Sequence, residues 1–196
     1  MSRQLHLNLF LMARGHHEGA WRHPGANPKA LTDLELYADA ARIAEKAKFD
    51  AVFLADTLVG PENSQLVASG LLEPITLLTA LALKTERIGL IGTASTTYSH
   101  PYTLARQFAT LDHISKGRAG WNIVTSWAPK AGENYGLTEN VDHADRYRIA
   151  QEFVEAVDAL WRSFPASSIV DDAASGQFLD IGQVRPAGYA GQHIRT

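Results

Sequence analysis

The order in which strand-like and helix-like segments follow one another constrains this chain more than any other feature. Residues 4–11 (QLHLNLFL) alternate at period two, the pattern of a strand with one buried face. Thr32-Asp33-Leu34-Glu35 has the Ser/Thr-x-x-Glu form of a capping box. Behind it Leu34, Tyr37, Ala41, Ala44 and Ala47 recur at helical spacing, which predicts a helix over 33–48. Ala51-Val52-Phe53-Leu54-Ala55 is a continuous apolar run, as a buried parallel strand requires. Pro74 suits a helix start, with Ile75, Leu78 and Ala82 continuing one face, and residues 87–91 read as a third strand. Pro101 opens another helix with Leu104, Phe108, Leu111 and Ile114 on one stripe and Gly117 as its stop. Residues 118–124 read as a fourth strand. A long helix over 143–163 follows, with Ala150, Phe153, Val154, Val157, Leu160, Trp161 and Phe164 facing inward.

Repeated strand–helix alternation means a parallel sheet with right-handed crossovers. An open doubly wound sheet that binds dinucleotides carries a glycine-rich turn after its first strand. Here that position holds Arg14-Gly15-His16-His17-Glu18-Gly19, which is not GxGxxG, and no P-loop pattern occurs. The expectation is therefore an α/β barrel. Residues 1–196 read as a single domain, in which 165–176 are a polar surface connection and Phe178 to Ile194 suggest a small hairpin rather than a fifth barrel strand.

Composition narrows the function. Apolar residues make up 45% and charged residues 20%, ordinary for a globular protein. A net charge of −3 provides no global attraction for nucleic acid, so no nucleic-acid partner is expected. No stretch approaches the ~20 apolar residues of a membrane helix, and no membrane partner is expected. The chain has no cysteine, which removes disulfides, thiolate metal sites and cysteine nucleophiles. The opening residues 1–9 lack the apolar core of a signal peptide, so the expected setting is cytoplasmic.

In a (β/α)8 barrel the chemistry sits in the loops after the strands. Those loops hold Arg14, His16, His17, Trp21 and His23; Asp56 and Thr57; Thr93, Ser95, Thr96 and Thr97; and Asn122, Thr125, Ser126 and Trp127. His16, His17, His23 and Asp56 suggest a metal, but adjacent histidines on a continuing strand point to opposite faces. There is no HxH or HExxH, and no metal site is expected. His143 and Tyr147 lie four apart at a helix start, where an imidazole and a phenol can grip a phosphate or polyol. A solvated helix start with Tyr147 in the core is the competing reading.

Several blocks resemble one family in order and spacing. They are residues 47–56 (AKFDAVFLAD), 72–74 (LEP), 91–97 (IGTASTT), 99–102 (SHPY), 111–118 (LDHISKGR) and 120–126 (GWNIVTS). The chain resembles the nitrilotriacetate monooxygenase group of luciferase-like, two-component FMN-dependent monooxygenases, from about residue 4 to about 194. The resemblance implies a (β/α)8 TIM barrel of the bacterial luciferase type, of which this chain holds the first four βα units and part of an insertion hairpin. It implies strands five to eight, and a serine-containing phosphate loop, beyond Thr196.

The resemblance also implies a reaction: reduced FMN, supplied by a separate NAD(P)H:flavin reductase, and O2 oxygenate a small organic substrate. Asp56, Thr93, Asn122, Thr125, His143 and Tyr147 match cofactor-binding positions of the family. His17, Trp21 and residues 58–72 match the variable substrate side, and no residue is singled out as catalytic. A homo-oligomer is expected. Two alternatives stay open at this point: a non-catalytic flavin-binding or subunit-association module, and a deazaflavin-dependent oxidoreductase.

Overall fold

The computed structural model describes residues 4–29, 31–60 and 72–196. Four strands form one parallel sheet: β1 (Asn8–Phe10), β2 (Ala51–Leu54), β3 (Gly89–Ser95) and β4 (Ala119–Val124). Between and after them run α1 (Leu34–Lys46), α2 (Pro74–Ala82), α3 (Pro101–Ser115) and α4 (His143–Ser163). The strand order is β1-β2-β3-β4. Each strand adds beside its predecessor, so right-handed crossovers put every helix on the same face. A doubly wound sheet reverses direction at a switch point, and among the described residues this sheet has none. The sheet is an arc of barrel wall with its helices outside.

Side chains alternate accordingly. Val52, Leu54 and Leu90 join Tyr37, Ala41, Leu78 and Leu81 in one core, between the sheet and α1 and α2. Ala94 packs with Leu104, Phe108, Phe153 and Val157 in a second, between the sheet and α3 and α4. The opposite face carries Phe10 and Phe53, paired in register with ring centroids 5.0 Å apart, and Thr93 paired with Asn122.

Gly92 faces the helices, where a Cβ would press on the Leu78 side chain. The missing side chain lets α2 lie close to β3. At the amino ends of the strands the Arg118 guanidinium donates to the carbonyls of Ala82, Thr85, Ile88 and Ser115 and to the Thr85 hydroxyl, at 2.7–3.2 Å. One oxygen of Glu45 accepts from the amides of Glu86, Arg87 and Ile88. These two side chains satisfy the loop from α2 into β3.

Several elements differ from the sequence expectation. The cap of α1 is Asp33, whose carboxylate accepts from the Glu35 amide; the Thr32 capping box does not form. β1 covers only Asn8–Phe10, because it pairs with a β2 of four residues; Leu5 and Leu7 stay exposed despite their alternation. β3 extends to Ser95, since Thr93, Ala94 and Ser95 pair with β4. Trp161 and Phe164 are about half exposed, although the Trp161 indole donates to the Ala105 carbonyl at 3.0 Å. The hairpin lies earlier than expected, as β5 (Ile169–Asp172) and β6 (Gln177–Leu179), and only an isolated bridge, Ala190 with Arg195, falls further on. Among the described residues no helix is long and apolar enough to cross a membrane.

Candidate functional site

At the carboxyl ends of the strands opens a cavity of about 540 Å³. Asp56 and Thr57 reach it from the end of β2, Thr93 from β3, Asn122 from β4, and Thr125, Ser126 and Trp127 from the turn beyond β4. His143, Arg146 and Tyr147 reach it from the first turns of α4. All six residues expected to bind cofactor therefore line one space, although they come from four places in the sequence. A volume of this size is typical of small-molecule and cofactor sites.

Thr93 and Asn122 are in register on neighbouring strands, and the Asn122 amide donates to the Thr93 hydroxyl at 2.9 Å. Asn122 keeps its carbonyl and one amide proton to offer. The turn after β4 is held by hydroxyls from the turn after β3. Thr96 Oγ1 donates to the Val124 carbonyl at 3.2 Å and Thr97 Oγ1 to the Thr125 carbonyl at 2.6 Å. Ser126 Oγ donates to Ser95 Oγ at 2.7 Å. Ser95 and Thr96 are buried, so this part of the Thr/Ser cluster builds the wall rather than facing the cavity.

The start of α4 is capped by Asp142, which accepts from the Ala144 amide at 2.8 Å. That backbone bond is the main cause holding its carboxyl below the usual range. One turn apart, the rings of His143 and Tyr147 have centroids 5.0 Å apart. Tyr147 is 59% exposed, so it is not a core residue. Two polar rings converge there at the amino end of a helix, a combination suited to an anion.

Burial pushes the Asp56 carboxyl up, and the charge of Glu73 adds to it. Glu73 caps α2, accepting from the amides of Ile75 and Thr76. Burial also raises the Tyr135 phenol, helped by Asp56 and Tyr98. Tyr98 and Tyr135 stack at 4.8 Å, and Asn134 donates to the Leu58 carbonyl at 2.8 Å, tying the 3₁₀ turn Pro129–Tyr135 to the β2 end.

The loop after β1 does not contribute to the lining of this cavity. His17 and His23 accept from the amides of Gly19 and Gly25 through Nδ1, and His16 meets Phe10 edge-on at 5.1 Å. Of the stretch 58–72, residues 61–71 lie outside the described residues. Arg146 is the polar lining residue that sequence reasoning missed. Its signal was its place between His143 and Tyr147, one turn on from the histidine.

Comparison with known proteins fits this four-stranded parallel sheet and the cavity at its carboxyl ends. The luciferase-like monooxygenase family model matches residues 10–193. This chain belongs to the luciferase-like monooxygenase family. Within it, nitrilotriacetate monooxygenase component A of Aminobacter aminovorans is 41% identical over all of this chain and 46% of its own length. The crystal structure of a long-chain alkane monooxygenase superposes with a TM-score of 0.92 at 35% identity, covering 100% of this chain and 48% of that one. A riboflavin lyase, solved with a modified FMN and riboflavin, superposes with a TM-score of 0.87 at 34% identity, covering 99% and 46%. The chain spans about half the length of the curated relatives it matches. As in these luciferase-like neighbours, its sheet is part of a TIM barrel.

Proposed function

We propose that this chain is the flavin-holding first half of a monooxygenase that uses reduced FMN and O2 to oxygenate a small organic substrate. The observation that carries this is the convergence of Asp56, Thr93, Asn122, Thr125, His143 and Tyr147 on one cavity. The donor set fits a flavin mononucleotide. The Thr93–Asn122 pair offers hydrogen bonds of both senses to a polar ring edge, while His143 and Tyr147 at the α4 start suit the phosphate end. When bound, the reduced flavin supplies the reaction of O2 with substrate, and the protein orients it and keeps water away. In this reading Asp56 meets the ring from the β2 side, with its carboxyl pushed up by burial.

In this reading the reduced flavin comes from a separate NAD(P)H:flavin reductase. That electron source carries a cytoplasmic setting with it. Residues 1–196 act as a single unit of the barrel, with 165–196 as surface connection and insertion, and the working protein is a homo-oligomer. The substrate meets the flavin at the mouth, where Trp127 is exposed.

The test is oxygenation by the whole protein, given FMN, NADH and a flavin reductase, on a panel of aminopolycarboxylates, thioethers and alkanes under isotope-labelled O2. Incorporation of one labelled oxygen atom into a product supports the reading. Tight flavin binding with no labelled product from any of them would leave a binding module.

A further inference from the structure

Arg146 lines the cavity between His143 and Tyr147, and a cation there invites the reading that it binds the cofactor phosphate directly. Its contacts point elsewhere. Arg146 Nη1 donates to the Ser126 carbonyl at 2.8 Å. Ser126 has φ of 51°, in the left-handed region that a serine rarely enters. The residues flanking it, Thr125 and Trp127, both line the cavity. On the other side the same turn is held by the hydroxyls of Ser95 and Thr97. The turn after β4 is thus clamped between the end of β3 and the first turns of α4, and Arg146 makes the clamp on the α4 side. Among the described residues the buried Arg146 Nε has no hydrogen-bond partner.

We infer that Arg146 is a positioning residue, a latch that holds Ser126 in its left-handed conformation and so sets where Thr125 and Trp127 meet the flavin ring. The inference rests on the flavin reading of this site. The latch and a direct phosphate contact differ in what they distinguish. A phosphate ligand discriminates FMN from riboflavin, which lacks the phosphate. A latch acts on the ring end and affects both alike. Glycine enters the left-handed region without steric cost, so it relieves the need for a latch.

The experiment is anaerobic titration of the whole protein with reduced FMN and reduced riboflavin, read by flavin absorbance and fluorescence. It compares wild type, Arg146→Gln, Ser126→Gly and the double variant, and amide exchange of residues 125–128 is followed in each. Arg146→Gln should weaken both ligands about tenfold, with their affinity ratio unchanged, and should speed exchange in 125–128 while the sheet stays protected. Arg146→Gln should cost less affinity in the Ser126→Gly background than in wild type, a comparison that sets aside the Ser126–Ser95 hydroxyl bond that glycine removes. Weakening confined to FMN would make Arg146 a phosphate ligand and overturn the latch. So would unchanged affinity, unchanged exchange at 125–128, or an equal loss from Arg146→Gln in both backgrounds. If wild type binds neither flavin, the flavin reading fails, and exchange at 125–128 alone decides the latch.

Discussion

Asn122 and Thr93 face each other across β3 and β4, with the Asn122 amide 2.9 Å from the Thr93 hydroxyl. The bond joins the two strands at the floor of the cavity, where Thr93 is 4% exposed. It is a structural contact and a candidate ligand surface at once.

Thr93→Val separates the two roles. Valine keeps the shape but leaves the Asn122 amide without its acceptor, at a cost of about 1–3 kcal/mol. Urea unfolding should show that loss, and FMN affinity should fall with it. A variant as stable as wild type would show that the bond contributes nothing to the floor.

Arg118 lies at the far ends of the strands and donates to four carbonyls. Arg118→Met strands those acceptors, and a loss of about 3 kcal/mol is expected in chemical unfolding. Flavin affinity measured well below the unfolding midpoint should stay unchanged, because the cavity is at the opposite end. Loss of binding in a still-folded variant would contradict that separation.

Asp56 gives a pH signature. Its folded pKa is raised, by burial first and then by Glu73, so ionising it works against folding. The penalty is present above the raised pKa and vanishes as pH falls towards the ordinary carboxylate range. Asp56→Asn should therefore be more stable than wild type at neutral pH, with the difference closing on acidification. Unfolding at pH 7 and at mildly acid pH checks it; equal stability at both would show that burial costs Asp56 nothing. The same variant should lose flavin affinity, a trade of function against stability.

How much of this was legible in the sequence depends on the kind of residue. The apolar stripe of α3 and the run Ala51–Leu54 announce themselves, because periodicity and burial follow directly from apolar side chains. The second half of β3, through Thr93 to Ser95, does not, because small and hydroxylated residues carry no apolar signal even when a neighbouring strand pairs with them. Tyr147 could not be assigned to core or surface from its spacing, and only the packing of α4 shows it 59% exposed. Arg146 was passed over, despite its place between His143 and Tyr147, because a long cationic residue on a helix normally reads as a solvated face. The hairpin was misplaced because Ile169, Val170 and Phe178 stay exposed, so hydrophobicity there does not mark a core.

The end of the chain is tied to α4 by a carboxylate. Glu152 accepts from the amides of Gln192, His193 and Ile194 at 2.7–3.0 Å. Those amides hold its carboxyl below the usual range against the desolvation that opposes them. Glu152→Ala should loosen residues 189–196, seen as faster amide exchange there, with unfolding of the rest little changed. Unchanged exchange would mean the segment is held by other contacts.

The central claim is that this half of the protein carries a flavin mononucleotide site built from strand ends and the start of α4. Anaerobic titration of the whole protein with reduced FMN and reduced FAD, repeated on Tyr147→Phe and Asn122→Ala, tests it most directly. FMN should bind more tightly than FAD, and each substitution should weaken FMN several-fold to about tenfold without unfolding the protein. A clear preference for FAD, or FMN affinity untouched in both variants, would contradict the account.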